Sequence, residues 1–317
     1  MDAIPTAQFP TGGEEQRTAG NAVSVGDIIN AYYQLTKPRI ILLLLITTLP
    51  AMFLAHRGIP PLLLVTVTMA GGALAAGSAN ALNNVLDRDI DEQMRRTRRR
   101  PLPRHQAAPL PATIYAIVLG IASTLILGFG ANWLSGLLAL GANAFYVLVY
   151  TMVLKRRTEQ NIVWGGLAGC FPPLIGWTAV TGQISLAPII MFAIVFFWTP
   201  PHTWALAIRY RDDYAKVSVP MMPVVRPDTY TTTQMLVYTA LMVATSVALW
   251  PIAPTGPLYL AVAAITGAIV LWEAVRLWWR ARQGVTGLAL KPMRLFHFSN
   301  SYLALLFVAM AIDPLIF

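Results

Sequence analysis

Asn83-Asn84-Val85-Leu86-Asp87-Arg88-Asp89-Ile90-Asp91 stands between an apolar run over 61–83 and the basic stretch Arg95 to Arg100. An uncharged run of that length spans a bilayer as a helix of about 20 residues. Positive charge just beyond it marks the side that stays in the cytoplasm. Two carboxylates and two amides therefore sit at the membrane edge. Asn84, Asp87 and Asp91 are three and seven positions apart, which places them on one helix face. Such a set of hard oxygens suits Mg²⁺, an ion usually held by one or two carboxylates plus substrate phosphates.

Outward from this stretch the same pattern repeats. The 317 residues are 56% hydrophobic and 12% charged, about half the charge of a soluble domain. Nine spans are predicted, over 39–56, 61–83, 112–130, 133–154, 162–181, 186–208, 234–252, 257–275 and 296–314. Of the 23 Lys and Arg residues, 22 fall in the N-terminal tail or the even-numbered loops, leaving Arg57 alone on the other side. The fold expected is all-α, a polytopic protein of nine transmembrane helices around a central cavity open to the cytoplasmic side. Its N-terminus is expected inside and its C-terminus outside. The +9 charge is accounted for by topology, so a nucleic-acid partner is excluded. Cys170 is the only cysteine, so an internal disulfide and a cysteine metal cluster are excluded. Residues 1–30 read as a polar tail, with a surface helix from Ser24 to Leu35. Residues 31–317 read as one membrane domain. Proline pairs and Pro50 predict kinks within spans.

The chemistry is expected on the basic side. Asn83, Asn84, Asp87 and Asp91 read either as a Mg²⁺–diphosphate site or as acids neutralising the arginines behind them. Arg96, Arg100, Lys155 and Arg156 serve either topology or phosphate binding, since guanidinium forks hold phosphate oxygens bidentately. In the loop after span 6, Asp212 and Asp213 are placed to bind a second metal or to hold Arg209 and Arg211, and Lys216 to contact phosphate. His202 lies inside a span, where ionisable groups usually mark function. The alternative is a neutral imidazole bonded to a carbonyl freed by Pro200 and Pro201. The aromatics Tyr146, Trp164, Trp177, Phe196, Phe197, Trp198 and Trp204 read as pocket lining or as packing.

Asn83-Asn84-x-x-Asp87-x-x-x-Asp91 with Arg96-Thr97-x-x-Arg100-Pro101-Leu102 resembles the first aspartate-rich motif of the UbiA-type intramembrane prenyltransferases. Within that superfamily the resemblance is to the branch acting on haem. It rests on Tyr150-Thr151-x-x-Leu154-Lys155-Arg156, Trp198-Thr199-Pro200-Pro201-His202-x-Trp204, Asp212-Asp213-Tyr214 and Pro220-Met221-Met222-Pro223, and it covers roughly residues 30–315. It implies an enzyme of the bacterial inner membrane that transfers a farnesyl group from farnesyl diphosphate to the 2-vinyl group of haem B, with addition of water. Asp87, Asp91 and Asn84 would hold Mg²⁺. Asn83, Arg96, Arg100, Arg156, Asp212, Asp213 and Lys216 would bind the diphosphate, and Lys155 and His202 would act on the reactants. His202 would contact haem through iron or a propionate. A haem A synthase or a terminal oxidase would receive the product. Adjacent Asp212 and Asp213 depart from the DxxxD pair of other branches, which weakens a second Mg²⁺ site. The rival readings are a prenyltransferase acting on an aromatic quinone precursor, a transporter, and a non-catalytic haem-binding assembly factor.

Overall fold

The computed structural model describes residues 24–317, so the tail expected over residues 1–23 lies outside the described residues. The chain is helical throughout this part. Helix α1 (Val25–Leu35) opens on a capping box: Ser24 Oγ accepts from the Asp27 amide, and the Asp27 carboxylate accepts from the Ser24 amide. The expected boundary between residues 30 and 31 falls inside this helix. Its buried positions, Ala31 and Leu35, pack towards α3, while Val25, Ile28 and Ile29 stay exposed. That split suits a helix lying at a membrane interface.

The spans follow as α2 (Pro38–His56) and α3 (Leu62–Leu86). Past Asp87 comes the short α4 (Arg88–Gln93), then α5 (Pro109–Gly130) and α6 (Trp133–Ala144). Helix α6 continues as a π-helix over Phe145–Leu154. The fifth span is built of α7 (Asn161–Gly165), a 3₁₀ turn (Gly166–Cys170) and α8 (Phe171–Thr181). Helix α9 (Leu186–Arg209) is followed by α10 (Arg211–Lys216) and α11 (Met222–Val225). The last three are α12 (Asp228–Leu249), α13 (Pro257–Arg282) and α14 (Pro292–Ile316). Nine helical segments among the described residues are long and apolar enough to cross a membrane, matching the expected number.

Two spans exceed the hydropathic prediction by six residues or more: the seventh, predicted to start at 234, and the eighth, predicted to end at 275. Helix α12 begins at Asp228 with a run of threonines whose hydroxyls fold back on backbone carbonyls, as Thr232 and Thr233 do. Helix α13 runs on through Arg276, Arg280 and Arg282, where charge hides the helix from a hydropathy window. Pro172 and Pro173 do not interrupt a helix; they open α8, where a missing N–H costs nothing. Pro50, Pro200 and Pro201 lie inside their helices, as expected.

Neighbouring spans close into a ring: α2 meets α3, α3 meets α5, α5 meets α6, and the series runs on through α8, α9, α12 and α13 to α14, which returns to α2. Helix α8 also packs on α2 at very short range. A Cβ added at Gly176 would lie 2.4 Å from the Thr48 carbonyl oxygen, so only glycine allows the two backbones to approach there. Small residues of this kind drive helix association in lipid. Because the obstacle is backbone, Gly176→Ala is expected to destabilise the protein by about 1–3 kcal/mol. The measurement is the midpoint of thermal unfolding in detergent.

The two acids that lie in spans away from the site have structural partners. Glu273 is buried between Arg276 (3.3 Å) and Arg294 (2.9 Å). Asp313 of α14 accepts the Gly256 and Tyr259 amides and so caps the start of α13. Both acids are accounted for by these packing and capping contacts, so neither lends support to the transporter reading.

Candidate active site

The basic ends of the helices enclose a cavity of about 410 Å³. Its walls carry Lys37, Asn83, Asp91, Arg96, Arg100 and Lys155 towards one end, with Tyr146 and Tyr150 alongside. Trp198 and His202 of α9 and Asn300 and Leu303 of α14 complete the wall. A second, apolar cavity of about 200 Å³ adjoins it at Ile40, Leu44, Tyr146 and Gly169, and is lined largely by alanine, glycine and leucine.

Helix α3 stops at Asp87, where φ is −95° and ψ is 5°, yet the hydrogen-bond ladder continues across the break. The Asp87 amide donates to the Asn83 carbonyl (3.0 Å) and the Asp91 amide to the Asp87 carbonyl (2.9 Å). Asn83, Asp87 and Asp91 therefore form one column. Asn83 Nδ2 donates to Asp87 Oδ2 (2.6 Å) and Lys37 Nζ to Asn83 Oδ1 (2.7 Å). Lys155 Nζ pairs with Asp87, and Arg100 Nη1 donates to Asp91 Oδ2 at 2.6 Å. Asp87 and Asp91 are themselves buried.

This arrangement carries more positive than negative charge. Lys37, Arg96, Arg100 and Lys155 face Asp87 and Asp91. Burial, then the Arg100 and Lys155 cations, push the Lys37 ammonium well below the usual lysine range. Burial also lowers Lys155, against the pull of Asp87. An anion entering the cavity relieves both. Asp87 Oδ1 is buried with no hydrogen-bond partner, with Arg156 Nη2 3.8 Å away, and Asn84 Oδ1 is likewise buried and unpartnered. Among the described residues no group of three or more His, Cys, Asp or Glu could hold a metal. Two carboxylates plus substrate phosphates are the arrangement Mg²⁺ accepts.

Several expected site residues lie elsewhere. Asn84 Nδ2 donates to the Leu35 carbonyl (2.9 Å) and Asn80 Nδ2 to that of Thr36 (2.9 Å), while Asn84 Oδ1 is buried without a partner. These two amides hold the α1–α2 link against α3 and so position Lys37. In the hydrogen-bonded column it is Asn83 that meets Asp87. Arg156 does not line the cavity; it forks onto Asp89 at 2.7 Å through both nitrogens and reaches to 3.8 Å from Asp87 Oδ1. That contact holds the Asp89 carboxyl below its usual range, in keeping with a pairing role for Asp89. Asp212 and Lys216 are exposed and line neither cavity. Asp213 is buried against the loop after span 2, accepting the Arg96 amide at 3.4 Å. Arg211 is held by Asp228, and Arg209 lies over the Tyr210 ring. The two aspartates thus form no paired site, and Asp213 instead ties the two loops together. Among the aromatics, Trp164 is exposed and Trp204 fully buried, while Tyr146 and Trp198 line the cavity.

Lys37 and Asn300 were not singled out by sequence, and Tyr150 entered only as part of a motif, with no site role. Lys37 carries one signal, its place directly before Pro38 at a span edge. Tyr150 owes its place to the π-helix, in which Thr151 Oγ1 donates to the Tyr146 carbonyl and the Lys155 amide to the Tyr150 carbonyl. Such segments occur frequently at functional sites. The Tyr150 ring occupies the space a Cβ would take at Gly165, 2.0 Å from Cδ2. At the other end His202 lies between Trp198 (4.2 Å) and Phe296 (4.3 Å), both stacked on it, with Nδ1 3.0 Å from Ser299 Oγ.

The profile of the UbiA prenyltransferase family matches residues 44–300. The chain is 60% identical over 301 residues to the protoheme IX farnesyltransferase of Nocardioides sp., covering 95% of this chain and 96% of the relative. It is 58% identical over 315 residues to that of Cutibacterium acnes, covering 98% and 94%. Among solved structures, it superposes on a digeranylgeranylglyceryl phosphate synthase with a TM-score of 0.75 at 14% identity, covering 92% of this chain and all of the other. A UbiA homolog from Archaeoglobus fulgidus bound to GPP and Mg²⁺ gives 0.62 at 15% identity, covering 89% and 99%. These two establish the nine-helix fold.

Proposed function

Since the chain belongs to the UbiA prenyltransferase family, we propose that its cavity joins farnesyl diphosphate to haem B and that its basic end holds the diphosphate. The protein is a membrane-embedded farnesyltransferase whose acceptor is protohaem IX, and its product is haem O. The observation that carries the diphosphate assignment is the surplus of positive charge lining the cavity around Asp87 and Asp91, which calls for a polyanion. A relative of the same fold holds a prenyl diphosphate with Mg²⁺, and the two carboxylates here suit that ion.

Mg²⁺, when bound, neutralises the diphosphate and makes it a better leaving group. Asp87 and Asp91 would hold it. Lys155, Arg100, Arg96 and Lys37 face the leaving oxygens and stabilise the charge that develops as the allylic C–O bond breaks. The apolar cavity takes the farnesyl chain, and Tyr146, which lines both cavities, stands beside the carbon that ionises. The faces of Tyr146 and Tyr150, 5.3 Å apart, stabilise the allylic cation by about 1–2 kcal/mol each in a dry site. The 2-vinyl π-bond of haem B, held near Trp198 and His202, forms the new C–C bond. Water adds to the resulting haem-side cation and loses its proton. Diphosphate leaves towards the basic end.

We place that basic end in the cytoplasm, from the 22-to-1 distribution of Lys and Arg. The product would pass to a haem A synthase or a terminal oxidase. The experiment is to incubate washed membranes carrying the protein with farnesyl diphosphate, Mg²⁺ and either haem B or 4-hydroxybenzoate. Haem O in the first reaction and no prenylated benzoate in the second are expected. The reverse pattern would assign the quinone-precursor reaction. Haem binding without either product would assign a non-catalytic haem carrier.

A further inference from the structure

The hydrogen-bond partners of Ser299 point to which nitrogen of His202 carries the proton. Ser299 is buried in α14 and its hydroxyl has one hydrogen. Ser299 Oγ donates that hydrogen to the Phe296 carbonyl at 2.9 Å. The contact of 3.0 Å between Ser299 Oγ and His202 Nδ1 then needs its hydrogen from the imidazole. His202 is thus the Nδ1–H tautomer, donating to Ser299, and its Nε2 holds a free lone pair. Nε2 makes no hydrogen bond to any described residue, and the side chain lines the cavity. The ring cannot swing to another partner. Trp198 and Phe296 stack on its two faces, and the Trp198 indole is itself fixed by donating to the Ser299 carbonyl at 2.8 Å.

A neutral imidazole so arranged cannot donate to a propionate through Nε2. It can donate electrons to a metal. Histidine ligands to metals typically show this pattern, with the second nitrogen's hydrogen bond setting tautomer and orientation. We propose that His202 Nε2 is an axial ligand to the iron of the haem substrate, and that Ser299 is the positioning residue that presents it. The proposal rests on haem being the acceptor. It adds a function to α9 and α14: they hold the macrocycle by its metal, so the vinyl group is presented at a fixed distance from the ionising carbon.

The test uses the purified full chain in detergent, titrated with ferric haem B and followed by optical and electron paramagnetic resonance spectra. Wild type is expected to give a nitrogen-ligated haem, with ¹⁵N coupling when its histidines are labelled. His202→Ala should lose that signature, bind haem about 100-fold more weakly, and regain the ligated spectrum on adding free imidazole. Ser299→Ala should keep the ligand but weaken it roughly tenfold and raise the haem reduction potential, since Nδ1–H loses its acceptor. Unchanged farnesyl diphosphate binding in both variants shows that they are folded. Saturable haem with the same spectrum in wild type and His202→Ala would overturn the ligation alone. A wild type that takes up no haem would overturn the acceptor assignment and the ligation with it.

Discussion

Asp87→Asn is expected to lower Mg²⁺-dependent haem O formation by about 10³-fold or more, the size of effect that follows from losing several kcal/mol of charge stabilisation. The substitution changes charge and almost nothing in shape. It takes the charge from a buried carboxylate whose Oδ1 has no hydrogen-bond partner among the described residues. It also leaves Lys155 in a buried site without its counter-ion, and breaking one partner out of such a pair costs about 3–5 kcal/mol of stability. Loss of turnover and loss of fold therefore have to be separated. The double variant Asp87→Asn/Lys155→Met removes both charges together. Its unfolding midpoint is expected to recover most of the loss, and its turnover none. Turnover of Asp87→Asn within tenfold of wild type, at saturating Mg²⁺, would remove Asp87 from the site.

The second large effect separates two residues that are neighbours in sequence. Lys155→Met should reduce the single-turnover rate by about 10²–10³-fold, the cost of removing one group aimed at developing charge. Haem affinity should stay unchanged. Arg156→Met should change the rate little, because that guanidinium is half exposed and already spent on Asp89. An exposed pair of this kind contributes about 0.2–1 kcal/mol. Rapid-quench measurement of diphosphate release with bound farnesyl diphosphate makes the comparison. Equal losses in the two variants would mean that the geometry of the loop, and not Lys155, governs the rate.

Sequence alone shows Lys155 and Arg156 as equivalent cations at the foot of one span. The difference arises from the π-helix, which sets the angle at which each leaves the helix, and nothing in the residue types announces a π-helix. Asn83 and Asn84 present the same problem. Counting along an ideal helix puts Asn84 with Asp87 and Asp91, but the column actually formed starts at Asn83, and Asn84 belongs to the face that grips α1. Charge and hydropathy were legible because they are sums over many residues, and they fixed the span number and located the site's two carboxylates. Asp89 was legible as an outlier because it faces away from the others on any helix. Lys37 and Ser299 were not, because their roles depend on a partner 46 or 97 residues distant. Asp212 and Asp213 misled for the opposite reason: two adjacent acids look like a pair, whereas successive helical residues diverge by about 100°.

The π-helical segment between Ala144 and Lys155 also bears on how this chain can change over generations. A wider helical turn amounts to one residue more than an α-helix needs to cover the same rise. Removing one residue from Phe145–Leu154 would let the segment close into an α-helix, keeping the register at its two ends but moving the residues between them, Tyr150 beside Gly165 among them. Substitutions there face only the local demands of packing, but length is set by the register at both ends. In this span the residue count, and not only residue identity, decides what stands beside the proposed site.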